Sequence, residues 1–190
     1  GSLRSRASWL LGLLICQSGS SFILEGNEAL IQSHPVIVYF MTMLVGAGGN
    51  AGNQASVRII RGLATGEVNP ASERSFIASE VRMAAALSFI VVAAGFIRVV
   101  AFDATPTDAF AISLALFLIV GISIVLGTLL PLLLNRLRID AAHASTTIQV
   151  VMDVLGVTIA CTVTPIVYKV AASGAWSLPA LAAALQLPAT

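Results

Sequence analysis

Apolar residues fall in long runs along this chain, parted by short segments that hold nearly all of its charge. A helix needs roughly 20 mostly apolar residues to cross the hydrocarbon core of a bilayer. The pattern predicts five such spans, at about 7–24, 35–57, 82–98, 109–135 and 141–168. Arg6 and Glu25 bound the first. The second starts at Pro35, suited to a first helical turn because its missing N–H would have no partner there. The third is short in its uncharged part, residues 83–97. Arg82 and Arg98 are therefore expected to lay their stems along the apolar surface and carry their charges to the interfaces. Pro131 and Pro165 fall toward the ends of the fourth and fifth spans, where a lost backbone donor costs least.

Composition turns the pattern into a fold class. Of 190 residues, 57% are hydrophobic and 10% are charged, against about 25% charged in a soluble domain. The chain reads as an all-α, polytopic membrane protein. Residues 1–6 form a cytoplasmic stub, of which Gly1 and Ser2 look like a cloning scar. Residues 7–173 form a five-helix transmembrane domain, and residues 174–190 an extracytoplasmic tail in which Trp176 and the segment 178–187 look amphiphilic and interfacial. The first span has polar residues within it and no small-residue cleavage site at its end, so it reads as a retained helix. With a net charge of +1 and no basic tract, nothing points to a nucleic-acid partner. Cys16 and Cys161 both fall in apolar spans and read as small packing residues, and no Cys or His cluster has zinc spacing.

Arg4, Arg6, Arg58, Arg61, Arg74, Arg82, Arg136 and Arg138 fall on one side of the five predicted spans, and only Arg98 and Lys169 on the other. Basic residues accumulate on the cytoplasmic side of membrane helices. The expected topology is a multi-pass protein of the inner or plasma membrane with its N-terminus in the cytoplasm and its C-terminus outside. Glu25, Glu28, Asp103 and Asp108 then make the outer loops mildly acidic.

Two spans depart from lipid-facing chemistry. Asp153 is the only charged residue in 141–168, and a carboxylate near the centre of a bilayer costs about 2.5 kcal/mol or more. Ser145, Thr146, Gln149 and Gly156 lie at helical spacing from it, on a stripe of small and polar residues. In the second span Gly46, Gly49, Asn50, Asn53 and Gln54 share a face. Such a face packs closely against another helix or lines a watery path; three amides on one stripe favour the path. One copy has too little polar surface to enclose a wet pore. A symmetric homodimer doubles both stripes and brings two Asp153 carboxylates near one axis. Facing carboxylates repel unless a proton or cation lies between them. Hard oxygen donors select Mg2+, Ca2+ or Mn2+, and Mg2+ keeps several waters while held by one or two carboxylates. These residues do not separate the three ions.

The run Gly48-Gly49-Asn50-Ala51-Gly52-Asn53-Gln54-Ala55-Ser56, continuing to Arg61-Gly62-Leu63-Ala64-Thr65-Gly66-Glu67, resembles the membrane domain of MgtE-type magnesium channels and their related eukaryotic solute carriers. Trp9-Leu10-Leu11-Gly12-Leu13-Leu14 resembles that domain's first helix, and Asp153-Val154-Leu155-Gly156 its last. The resemblance implies a homodimeric Mg2+ channel or transporter whose pore lies at the dimer interface between the second and fifth helices of both copies. Asp153 would be the metal ligand, Mg2+ both ligand and cargo, and Gly49, Asn50 and Asn53 would lie near the ion path. The expected partners are a second copy, the lipid bilayer and a cytoplasmic regulatory domain not contained in these 190 residues. The last helix departs from the family's Asp-Pro-Ala start: Ala141-Ala142-His143 follow Asp140, and Ser145-Thr146 stand where a second proline is usual.

Two alternatives stay open at this point: a Na+- or H+-coupled divalent cation exchanger, and a structural membrane subunit whose Asp153 pairs with another protein. An intramembrane hydrolase built on Ser145, His143 and Asp153 does not fit. Ten residues along one helix set His143 and Asp153 roughly 15 Å apart, and no enzymatic activity is expected.

Overall fold

A computed structural model describes residues 2–174, and within them the chain is all α-helix, with no strand. Gly1, Trp176 and the 178–187 segment lie outside the described residues. The helices are α1 (Ser2–Gln17), α2 (Gly19–Gly26), α3 (Glu28–Ser33), α4 (Val36–Thr65), α5 (Glu73–Val100), α6 (Pro106–Arg136) and α7 (His143–Ala172).

α6 is the centre of the bundle, packed against α4, α5 and α7, while α4 also packs on α7. Its buried Ala115, Leu116, Ile119 and Val120 meet Phe40 and Leu44 of α4, Ala84 of α5, and Ile148 and Met152 of α7 in one core. α1 and α2 lie on the outside against α7, and α2 buries no residue. Such a helix, apolar but uncovered by protein, is one made to meet lipid.

Caps and turns set the ends. Thr105 caps α6 in a box with Asp108: the Asp108 N–H donates to Thr105 Oγ1 at 3.2 Å, and the Thr105 N–H donates back to Asp108 Oδ2 at 3.2 Å. Gly66 stops α4 in the left-handed region, at φ 77°. Val68 then folds back, its N–H donating to Gly62 O at 3.0 Å, over a glycine where a methyl would stand 2.6 Å from Val68 Cγ2.

Side-chain contacts define two ends of the bundle. At one, Glu73 of α5 pairs with Arg136 of α6, Trp9 of α1 lies 4.7 Å from His143 of α7, and the end of α4 shares a pocket with Asn135, Arg138 and Asp140. At the other, Tyr168 of α7 donates to Asp108 of α6 at 2.7 Å, His34 stacks on Tyr168, and Phe102 after α5 meets Tyr39 and Phe40 of α4. Helices α4 to α7 thus run alternately up and down.

Among the described residues, four segments are long and apolar enough to cross a membrane: Arg6–Gly26, Glu73–Val100, Pro106–Arg136 and His143–Ala172. The expected second span forms a helix of 30 residues, about 45 Å long, but its glycines and amides keep it below that apolarity. The expected third span begins nine residues earlier than its arginine boundary, because Glu73 and the residues after it continue the helix. Pro131 and Pro165 sit inside α6 and α7, which continue past both. The expected first span is interrupted at Ser18.

Candidate functional site: the polar faces of α4 and α7

α4 carries small residues on two faces, with different neighbours. Gly48, Gly52 and Ser56, at four-residue spacing, press on Ser123 and Gly127 of α6. A methyl at Gly127 would stand 2.9 Å from the Cα of Gly52, and one at Gly52 would stand 3.0 Å from the Ser123 carbonyl. Ser56 Oγ donates to Gly127 O at 3.0 Å, and Ser123 Oγ donates to Gly48 O. This is a dry, backbone-to-backbone seam of small residues.

The neighbouring face turns to α7. Ser145 Oγ donates to Asn53 Oδ1. The Gln149 amide fills the space above Gly49, where a methyl would stand 2.7 Å from Gln149 Oε1 and Cδ. Gly156 lets Val45 approach, since a methyl there would stand 3.2 Å from Val45 Cγ2. Gly49 and Gly156 are buried, Gly46, Asn53, Ser145, Gln149 and Asp153 are half-buried, and Asn50, Gln54 and Thr146 are exposed.

Asp153 opens onto a cavity of about 350 Å³ with Gly46, Thr42 and Val45 of α4, and with Gln17 and Ser20 from the first span. Gln17 Nε2 donates to Asp153 Oδ2. Sequence reading missed this partner. The signal was present, a glutamine among apolar residues followed by Ser18-Gly19-Ser20-Ser21, but no periodicity links residue 17 to residue 153. Gln54 points elsewhere, lining a separate pocket with Arg58, Glu80 and Met83 between α4 and α5. There Glu80 is buried and its Oε1 stands 3.0 Å from Arg58 Nε, an ion pair rather than a directed hydrogen bond. Arg58 also lies over the Phe76 ring, 5.5 Å from its centre.

Among the described residues no three His, Cys, Asp or Glu side chains cluster to hold a metal. A cation at Asp153 would take its other oxygens from amides, hydroxyls, water or a second copy of the chain. His143 and Asp153 sit on one unbroken helix, and His143 packs on Trp9, so no catalytic set forms around them.

The family model described as MgtE, divalent cation transporter, matches residues 41–163. The chain belongs to the MgtE family. It is 31% identical over 160 residues to the magnesium transporter MgtE of Thermus thermophilus, covering 82% of this chain and 34% of that protein. It is 29% identical over 140 residues to the magnesium transporter MgtE of Bacillus subtilis, covering 74% of this chain and 31% of that protein. The chain therefore spans about a third of the length of the curated relatives it matches. The MgtE match contains most of α4, all of α5 and α6, and most of α7. Asp153, Asn53 and Gly49 fall inside it and Gln17 outside. The family is one of transporters, not enzymes.

Proposed function

We propose that this chain carries Mg2+ across a membrane as a homodimer. The path runs between α4 and α7 of both copies, and hydrated Mg2+ is held by the two Asp153 carboxylates. One observation carries the reading: Asp153, the only charged residue in 141–168, opens onto a cavity beside the α4 face that bears Gly46, Gly49, Asn50 and Asn53. Names support the ion, since the relatives are magnesium transporters. Chemistry supports it too, because one or two carboxylates with water and neutral oxygens suit a cation that gives up its shell reluctantly.

The second copy answers two needs. Asn50 and Gln54 are exposed near the middle of α4, where bare amides against lipid are unfavourable. A lone carboxylate also has too few ligands for a divalent ion. In this reading α4 also crosses the membrane, the second of five spans, shielded from lipid by α6, α7 and the partner copy. The N-terminus is cytoplasmic and the C-terminus outside, with Arg58, Arg61, Arg74, Arg136 and Arg138 near the cytoplasmic end.

The test is Mg2+ uptake into proteoliposomes followed with an internal indicator. Wild-type chain is expected to give saturable uptake and Asp153→Asn to remove it, with both eluting as dimers. Wild-type uptake through Asp153→Asn would refute the reading.

A further inference from the structure

The first span brings a side chain to the ion path where α1 gives way to α2. α1 ends at Gln17 and α2 begins at Gly19. The backbone stays helical through the junction, with Ser18 at φ −60° and ψ −19° and its N–H on Leu14 O at 3.0 Å. Serine hydroxyls bond back along the helix, Ser18 Oγ to Leu14 O at 2.9 Å and Ser20 Oγ to Gln17 O at 2.8 Å. Gly19 sits against α7, where a methyl would stand 3.8 Å from Val154 Cγ2. The result is that Gln17 Nε2 donates to Asp153 Oδ2, and both residues border one cavity.

We infer that Gln17 is a specificity-determining residue of the ion path, tying one oxygen of Asp153 so that the carboxylate meets a cation through the other alone. The inference rests on the reading of Asp153 as the pore ligand. Its consequence follows from coordination chemistry. Ca2+ takes six to eight oxygens and can use both oxygens of a carboxylate at once, whereas Mg2+ keeps its waters and needs only one oxygen of a carboxylate. An amide N–H fixed on Oδ2 obstructs the two-oxygen mode and leaves the one-oxygen mode open. Gln17 thereby disfavours Ca2+ without adding a ligand for Mg2+. The residue lies outside the stretch 41–163 that carries the family match.

The experiment measures the Ca2+ concentration that halves Mg2+ uptake in proteoliposomes. Gln17→Met keeps the shape and removes the donor, and Gln17→Glu replaces the donor by a second carboxylate. Loss of one hydrogen bond to a charged group corresponds to about tenfold or more, so Ca2+ is expected to block both variants at concentrations about tenfold lower than wild type. A merely structural role would reduce Mg2+ uptake and leave the blocking concentration unchanged, and that result overturns the inference. Should Gln17→Met fail to reconstitute, Gln17→Leu, which also removes the donor and adds no ligand, decides by the same criterion. Asp153→Asn in the same vesicles separates the two levels. Wild-type uptake through it defeats the reading of Asp153, whereas no uptake through it beside wild-type Ca2+ block in the Gln17 variants defeats only the role of Gln17.

Discussion

The two small-residue faces of α4 use glycine for opposite ends. Toward α6, Gly52 and Gly127 both lack side chains so that their backbones touch, and Ser56 and Ser123 spend their hydroxyls on carbonyls across the seam. Toward α7, Gly49 removes a side chain so that a polar one, Gln149, can occupy the space. The first arrangement excludes water and fixes the bundle. The second keeps amides and a carboxylate beside a cavity. Glycine content alone does not tell a packing seam from a polar face beside a cavity; what the neighbouring helix puts against the glycine does.

The sharpest way to break the comparison is to add one methyl to each face. Gly127→Ala pushes a Cβ against the Gly52 backbone, which cannot rotate away. It is expected to destabilise the protein by about 3 kcal/mol, the upper part of the usual range for overpacking, visible as a lower thermal midpoint in detergent. Next in size, Ser56→Ala and Ser123→Ala each remove one hydrogen bond across the seam, at about 1 kcal/mol apiece, with Mg2+ uptake per folded protein kept. On the other face, Asn53→Ala with Ser145→Ala should give a coupling below about 1 kcal/mol in a double-mutant cycle of thermal stability. Gly49→Ala meets only the flexible end of Gln149. Its expected stability change is the smallest, about 0.5 kcal/mol, since the end of Gln149 can turn aside at the cost of a rotamer adjustment, while Mg2+ uptake falls severalfold. Equal destabilisation by Gly49→Ala and Gly127→Ala would erase the distinction between the faces.

Much of this was legible in the sequence, for physical reasons that differ by element. The long apolar runs of α6 and α7 declared themselves because a spanning helix is apolar over most of its length. The start of α5 did not, since helix continues through Glu73, Arg74, Glu80 and Arg82, beyond any hydropathy boundary. Helical spacing grouped Gly46, Gly49, Asn50, Asn53 and Gln54 on one stripe. That stripe is broad enough to meet two environments, and Gln54 falls beside Arg58 and Glu80 on the α5 side. Close packing on Gly48, Gly52 and Ser56 could be anticipated as a motif but not assigned to α6, because spacing names a face and not its neighbour. Gln17 was invisible for the same reason: its partner lies 136 residues away.

The most direct measurement of the central claim is the position of a cation in the assembled protein. Mn2+ substitutes for Mg2+ at hard oxygen sites and scatters anomalously, so a crystal of the reconstituted chain grown with Mn2+ locates it. One peak is expected on a twofold axis, about 4–5 Å from an Asp153 oxygen of each copy, a separation that leaves one water layer on the ion. A dimer built on other helices, or a peak remote from both Asp153 side chains, would contradict the claim.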